Sequence, residues 1–85
     1  NCYFWRDNKG VEIDCIIENG DLITPVEIKS GNTFNQDFFK NLNYWNKLSA
    51  NTNENSYVIY GGDSSRETKD GKLLTWNDLY DVPVL

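Results

Sequence analysis

Glu12, Asp14, Glu27 and Lys29 are the residues of this chain whose types and spacing could do chemistry. They lie in two short segments rich in branched residues, GVEID at 10–14 and PVEIKSG at 25–31. Carboxylates are hard oxygen ligands that suit Mg²⁺ or Mn²⁺. An ion held by such a pair helps neutralise a phosphate, deprotonate a water and stabilise a leaving oxygen. An amine beside the pair orients the attacking water or balances charge developing on the phosphate. What this set would support by itself is a divalent cation shared by carboxylates with a lysine beside it.

The set must be positioned by two strands. From Gly10 to Gly31, apolar and polar residues alternate on both sides of Asn19-Gly20, a dipeptide suited to a tight hairpin turn. The pleat sends Val11, Ile13, Cys15 and Ile17 to one side and Glu12, Asp14 and Glu18 to the other. On the second strand, Glu27 and Lys29 share one face and Val26 and Ile28 the opposite one. Two registers are open. A loop at Asn19-Gly20 sets Glu12 opposite Glu27 with Asp14 on the diagonal, and a loop at Gly20-Asp21 sets Asp14 directly opposite Glu27. In either register, all four charges are expected on one face, with paired Cβ atoms roughly 5 Å apart. The plainer reading of the same pattern is a solvated hairpin face whose ion pairs contribute little.

The rest of the chain supplies a frame. Cys2-Tyr3-Phe4-Trp5-Arg6 reads as an aromatic strand closed by a turn at Asp7-Asn8-Lys9-Gly10. A turn centred on Asn8-Lys9 pairs Phe4 with Ile13, Trp5 with Glu12 and Cys2 with Cys15. Phe4 then joins the apolar face, while Trp5 and Tyr3 either border the charged cleft or pack beneath a helix upstream. Thr33 with Gln36 fits a capping box, and Phe38, Leu42, Trp45 and Leu48, widened by Phe39, recur at the helical period as far as Ser49. Asn51–Asn55 reads as a polar loop, Ser56–Tyr60 as a strand stopped by Gly61-Gly62, and Asp63–Gly71 as an exposed loop. Lys72–Thr75 suggests a last short strand, and Asn77 a cap for one turn carrying Leu79 and Tyr80. Pro83 ends regular structure.

Composition sets the bounds. The 85 residues make one small domain. The chain lacks Met and opens close to a strand, which suggests a piece cut from a longer protein. Its net charge of −5, from 13 acids and 8 bases, argues against autonomous duplex binding, which is dominated by phosphate neutralisation. Arg6, Lys9, Lys40 and Lys47 do not make a phosphate track. No apolar run reaches membrane-spanning length. There is no His, and the 2 cysteines lack metal-ligand spacing, so zinc sites and histidine triads are not expected. In a reducing cytoplasm the cysteines are expected as small hydrophobes, with a disulfide as the alternative.

Asp14, twelve intervening residues, then Glu27-Ile28-Lys29 resembles the signature of the PD-(D/E)XK nuclease superfamily. With YFWRD, GVEID, PVEIKSG and FFKNLNYW, the chain is most similar to the uncharacterised C-terminal domain that follows an AAA-type ATPase module in many bacterial and archaeal proteins. The resemblance spans most of residues 2–60. It implies an α/β (α+β) fold with a restriction-endonuclease-like core. The sheet would be mixed, with about four strands in the order β-β-β-α-β and a first helix upstream.

The resemblance also implies that Asp14, Glu27 and the carbonyl of Ile28 hold Mg²⁺ or Mn²⁺ and that Lys29 is catalytic. Glu12 would be a second-sphere acid or replacement ligand, and Ser30 a phosphate-bonding or turn-starting residue. The enzyme it points to is a cytoplasmic, Mg²⁺-dependent DNA endonuclease or resolvase-like hydrolase. Its partners would be DNA and the ATPase module of the same chain, which alone would bind ATP. The alternative is a catalytically inactive interaction or oligomerisation module of the ATPase, acting in a homo-oligomer.

Overall fold

A computed structural model describes residues 2–83. Its architecture is α+β: one six-stranded mixed sheet with one α-helix and three short 3-10 segments. The strands are β1 (Cys2–Arg6), β2 (Glu12–Asn19), β3 (Leu22–Lys29), β4 (Tyr57–Tyr60), β5 (Arg66–Thr68) and β6 (Gly71–Thr75), and the helix is α1 (Lys40–Ser49). Their order across the sheet is β1-β2-β3-β4-β6-β5. β1, β2 and β3 form an antiparallel meander, β3, β4 and β6 run parallel, and β5 folds back antiparallel on β6. The connection from β3 through α1 to the neighbouring β4 is the crossover that a parallel pair requires.

The sheet thus has six strands where about four were expected. β5 lies inside the stretch read as a loop, since Arg66-Glu67-Thr68 is a polar edge strand without apolar alternation. It is formed by ladder bonds to Gly71–Leu73 across a two-residue turn at Lys69-Asp70. Gly71 sits at φ 142°, and a Cβ there would come within 2.6 Å of the Ser56 carbonyl oxygen and 2.9 Å of the Phe39 ring. The polar turn is therefore sewn tightly to the core.

The β2–β3 loop is Gly20-Asp21, because Asn19 pairs with Leu22 and Gly20 takes φ 62°. Of the two open registers, this one puts Asp14 opposite Glu27. The β1–β2 pairing differs from expectation: Trp5 pairs with Ile13, Arg6 with Glu12 and Cys2 with Ile17. A register shift between Tyr3 and Trp5 leaves Asp14 and Cys15 together opposite Phe4, a β-bulge that breaks strict alternation. Ile13 consequently packs with Ile16 rather than with Ile17. Trp5 joins the same side, whereas Phe4 is 55% exposed. Cys2 and Cys15 are joined in a disulfide across the bulge, with Cα atoms 5.9 Å apart, a separation within the bridging range. The expectation of reduced thiols is overturned, and the alternative, a disulfide between the two cysteines, is what the structure has.

Both faces of the sheet are apolar. On one, Phe39, Leu42 and Trp45 of the helical region pack on Ile13, Ile16 and Val58. On the other, Val82 and Leu79 cover Val26, Ile59 and Leu74. The helix starts later than the capping-box reading has it. Asn35 caps a 3-10 turn at Gln36–Phe39, its side chain accepting from Asp37 N–H at 2.8 Å, and α1 follows. Leu48, expected in the buried stripe, is 62% exposed because α1 ends one turn beyond the sheet-covering residues, at Ala50 in the left-handed region. The closing 3-10 segment, Trp76–Asp81, begins after Thr75 rather than at Asn77.

Candidate active site

The β2–β3 ladder runs from Asn19/Leu22 to Cys15/Val26 and stops there. Beyond it, side chains take over the backbone's hydrogen bonds. Asp14 N–H donates to Glu27 Oε1 at 3.0 Å, and Ile28 N–H donates to Asp14 Oδ2 at 2.8 Å. The strands diverge, and the gap is lined by two carboxylates. Sequence accounts for this locally: the bulge at Asp14-Cys15 turns β2 away, and a carboxylate long enough to bridge stands on each strand.

Glu27 is 3% exposed, and Lys29 Nζ stands 3.6 Å from its Oε2. Burial pushes Glu27 up to about 7, aided by the Asp14 charge and opposed by the Asp14 N–H bond and by Lys29. Lys29 is a partly exposed ammonium lying 6.0 Å from the centre of the Phe38 ring. Phe38 itself packs against the helix-side core. The ammonium is thus supported from below by the helical region.

Asp14, Glu27 and Lys29 are brought together, and Ile28 belongs with them through its backbone. In an extended strand a residue's N–H and C=O leave on the same edge. The Ile28 N–H points to Asp14, so its carbonyl faces the same gap, while its side chain is 47% exposed. Glu12 is not part of the group. Instead, Glu12 sits opposite Arg6 in the β1–β2 ladder, and its Oε2 pairs with Arg6 Nε at 3.3 Å. Ser30 is exposed just past the end of β3, its carbonyl oxygen 3.0 Å from where a Cβ on Gly61 would stand. Its place fits the turn-starting role.

Sequence reasoning missed Asn41. Its Nδ2 donates to the Glu12 carbonyl at 3.2 Å, tying α1 to β2 two residues before Asp14. Nothing in a polar helical position signals such a contact, because only tertiary packing decides which backbone group the amide meets. A cleft of about 400 Å³ elsewhere is lined by Asn43, Asn46, Asn51 and Asp70 among others and includes none of Glu12, Asp14 and Glu27. Asn46 and Asn51 are bonded to each other, and Asn46 also to Ser56, which fixes the end of α1 to the approach to β4.

Among the described residues no cluster of three or more His, Cys, Asp or Glu could hold a metal ion. Mg²⁺, however, keeps several of its waters and needs only one or two carboxylates. Asp14, Glu27 and the Ile28 carbonyl fit that requirement. No helix among the described residues is long and apolar enough to cross a membrane.

Residues 1–79 match the profile of a family described as a domain of unknown function, DUF4143. No curated protein and no solved structure matches the chain. With nearly its whole length matched, the chain belongs to the DUF4143 family.

Proposed function

We propose that this domain is a Mg²⁺-dependent phosphodiester hydrolase acting on DNA, built on a PD-(D/E)XK nuclease-like core. The observation that carries the reading is the meeting of the Asp14 and Glu27 carboxylates across diverging strands, with Lys29 Nζ 3.6 Å from Glu27. Asp14, Glu27 and the Ile28 carbonyl would hold the ion. When bound, Mg²⁺ supplies charge neutralisation for the phosphate and acidifies water. Lys29 orients the attacking water and balances negative charge developing on the phosphate. The half-open position of its side chain, between buried Glu27 and solvent, suits that role. Burial of Glu27 keeps bulk water from competing for its carboxylate.

The similarity of residues 2–60 to domains that follow AAA-type ATPase modules supports a setting in a larger cytoplasmic ATPase. A second reading is a catalytically inactive interaction or oligomerisation module of that ATPase. It is favoured by the exposure of Phe4 (55%) and Ile28 (47%) on a chain of net charge −5, since exposed apolar groups suit a protein partner better than a phosphate backbone. The deciding experiment is cleavage of linear and branched DNA by the intact protein with Mg²⁺ or Mn²⁺, comparing wild type with Lys29→Ala. Products from wild type that vanish in the variant support the hydrolase. Absence of cleavage on every substrate, with changed ATPase assembly when the domain is deleted, supports the interaction module.

A further inference from the structure

The geometry points to Asn41 as a positioning residue that sets the separation of β2 and β3 at the acid pair. In an antiparallel ladder, alternate residues of a strand bond on the same edge. Asp14 N–H leaves β2 on the β3 side, where it meets Glu27 at 3.0 Å. The Glu12 carbonyl, two residues earlier, therefore leaves on that side too, past the point where the ladder has stopped. There it accepts from Asn41 Nδ2 at 3.2 Å. The edge β3 has left is completed by α1.

The divergence is thus held by three side-chain bonds to backbone: Glu27 to β2, Asp14 to β3, and Asn41 to β2. The two acid bonds alone would also be satisfied by strand ends drawn closer. Asn41 removes that freedom, because α1 is fixed on the sheet by buried Leu42 and Trp45 and its amide anchors β2 at a set distance. Outer partners of this kind act through the ligands they orient, and losing one typically costs about 10–100-fold in metal affinity. The metal consequence rests on the hydrolase reading, whereas the positioning itself does not.

The test uses the intact protein with Asn41→Leu, which removes the donor at similar size, and Asn41→Gln, which keeps it. Without metal, amide hydrogen exchange at Asp14 and Ile28 reads the crossed bonds directly, and Val58 in the core reports overall stability. Asn41→Leu is expected to speed exchange at Asp14 and Ile28 about tenfold with Val58 unchanged, and Asn41→Gln to keep wild-type rates. Unchanged rates at Asp14 and Ile28, or equal acceleration at Val58, overturn the proposal. Titration with Mn²⁺ adds a second arm, with Asn41→Leu about 10–100-fold weaker and Asn41→Gln near wild type. Equal affinity in wild type and Asn41→Leu also overturns it. If wild type binds no Mn²⁺, the hydrolase reading falls and the exchange arm alone decides the role of Asn41.

Discussion

Asp14 and Glu27 are each hydrogen-bonded to the strand that carries the other: the Asp14 N–H donates to Glu27 Oε1 at 3.0 Å, and the Ile28 N–H, next along β3 from Glu27, donates to Asp14 Oδ2 at 2.8 Å. Each carboxylate keeps its second oxygen free of these bonds. The arrangement therefore closes the backbone's hydrogen-bonding account where two strands part, and leaves Glu27 Oε2 to stand 3.6 Å from Lys29 Nζ.

Glu27 makes the metal-free protein sensitive to pH. Its carboxyl is raised from 4.5 to about 7, chiefly by burial. A group whose folded pKa lies above its unfolded value binds more protons in the folded state, so stability is greatest below pH 4.5 as far as this group is concerned and falls as pH rises through 7. The loss from this group amounts to at most roughly 3 kcal/mol. Glu27→Gln should flatten that decline and raise stability at pH 8, read by urea denaturation across pH 4.5–8. A wild-type stability rising over that window after correction with the variant would contradict the assignment.

Divalent ions should act in the opposite direction. If Asp14 and Glu27 hold Mg²⁺, an ion at 100 times its dissociation constant stabilises the folded state by about 2.7 kcal/mol, with the larger effect above pH 7 where Glu27 is ionised. Asp14→Asn keeps an acceptor for the Ile28 N–H but loses the charge, and should abolish the rise in melting temperature. Thermal scans of both proteins with and without Mg²⁺ check this.

Lys29→Ala should lower any DNA cleavage by about 10²-fold or more, the usual cost of removing a group that stabilises developing charge. Stability should also fall above pH 7, since Lys29 is the cation beside buried, ionised Glu27. The measure is cleavage rate at saturating metal beside a denaturation curve. A variant as active as wild type removes Lys29 from the chemistry.

The Cys2–Cys15 bond ties the edge strand to the bulge and encloses a loop with a sequence separation of 13. Closing a loop of that length is worth about 3 kcal/mol in the chain-entropy treatment. Reduction, or Cys2→Ser, should lower the melting temperature and speed exchange of β1 amides more than those of β4. Identical melting with and without reductant would show that the bond contributes nothing to stability.

Gly71→Ala tests the closure of the β5–β6 turn. Its φ of 142° and the 2.6 Å approach to the Ser56 carbonyl oxygen leave no room for a methyl group. The variant should lose at least about 2 kcal/mol, whereas alanine at Gly31, with no atom within 4 Å of its Cβ position, should be nearly neutral. Equal stability of the two variants would sink the packing argument.

The order of β1 to β4 around a helix was legible in the sequence because it rests on local periods: alternation through residues 10–31, and Phe39, Leu42 and Trp45 at helical spacing. The adjacency of Asp14, Glu27 and Lys29 was legible for the same reason, since the period of two and a short turn leave only two registers. Three things were decided by tertiary structure alone. The bulge at Asp14-Cys15 moved Ile13 and Trp5 to the helix side, and the register beside it paired Glu12 with Arg6 rather than with the other acids. β5 exists only through its pairing with β6. Asn41 reached the Glu12 carbonyl only because α1 docks where β3 has turned away. Periodicity reports which way a side chain faces along one segment, but a one-residue slip between segments costs little locally and changes every partner beyond it, so the slip is fixed by the packing of the whole sheet.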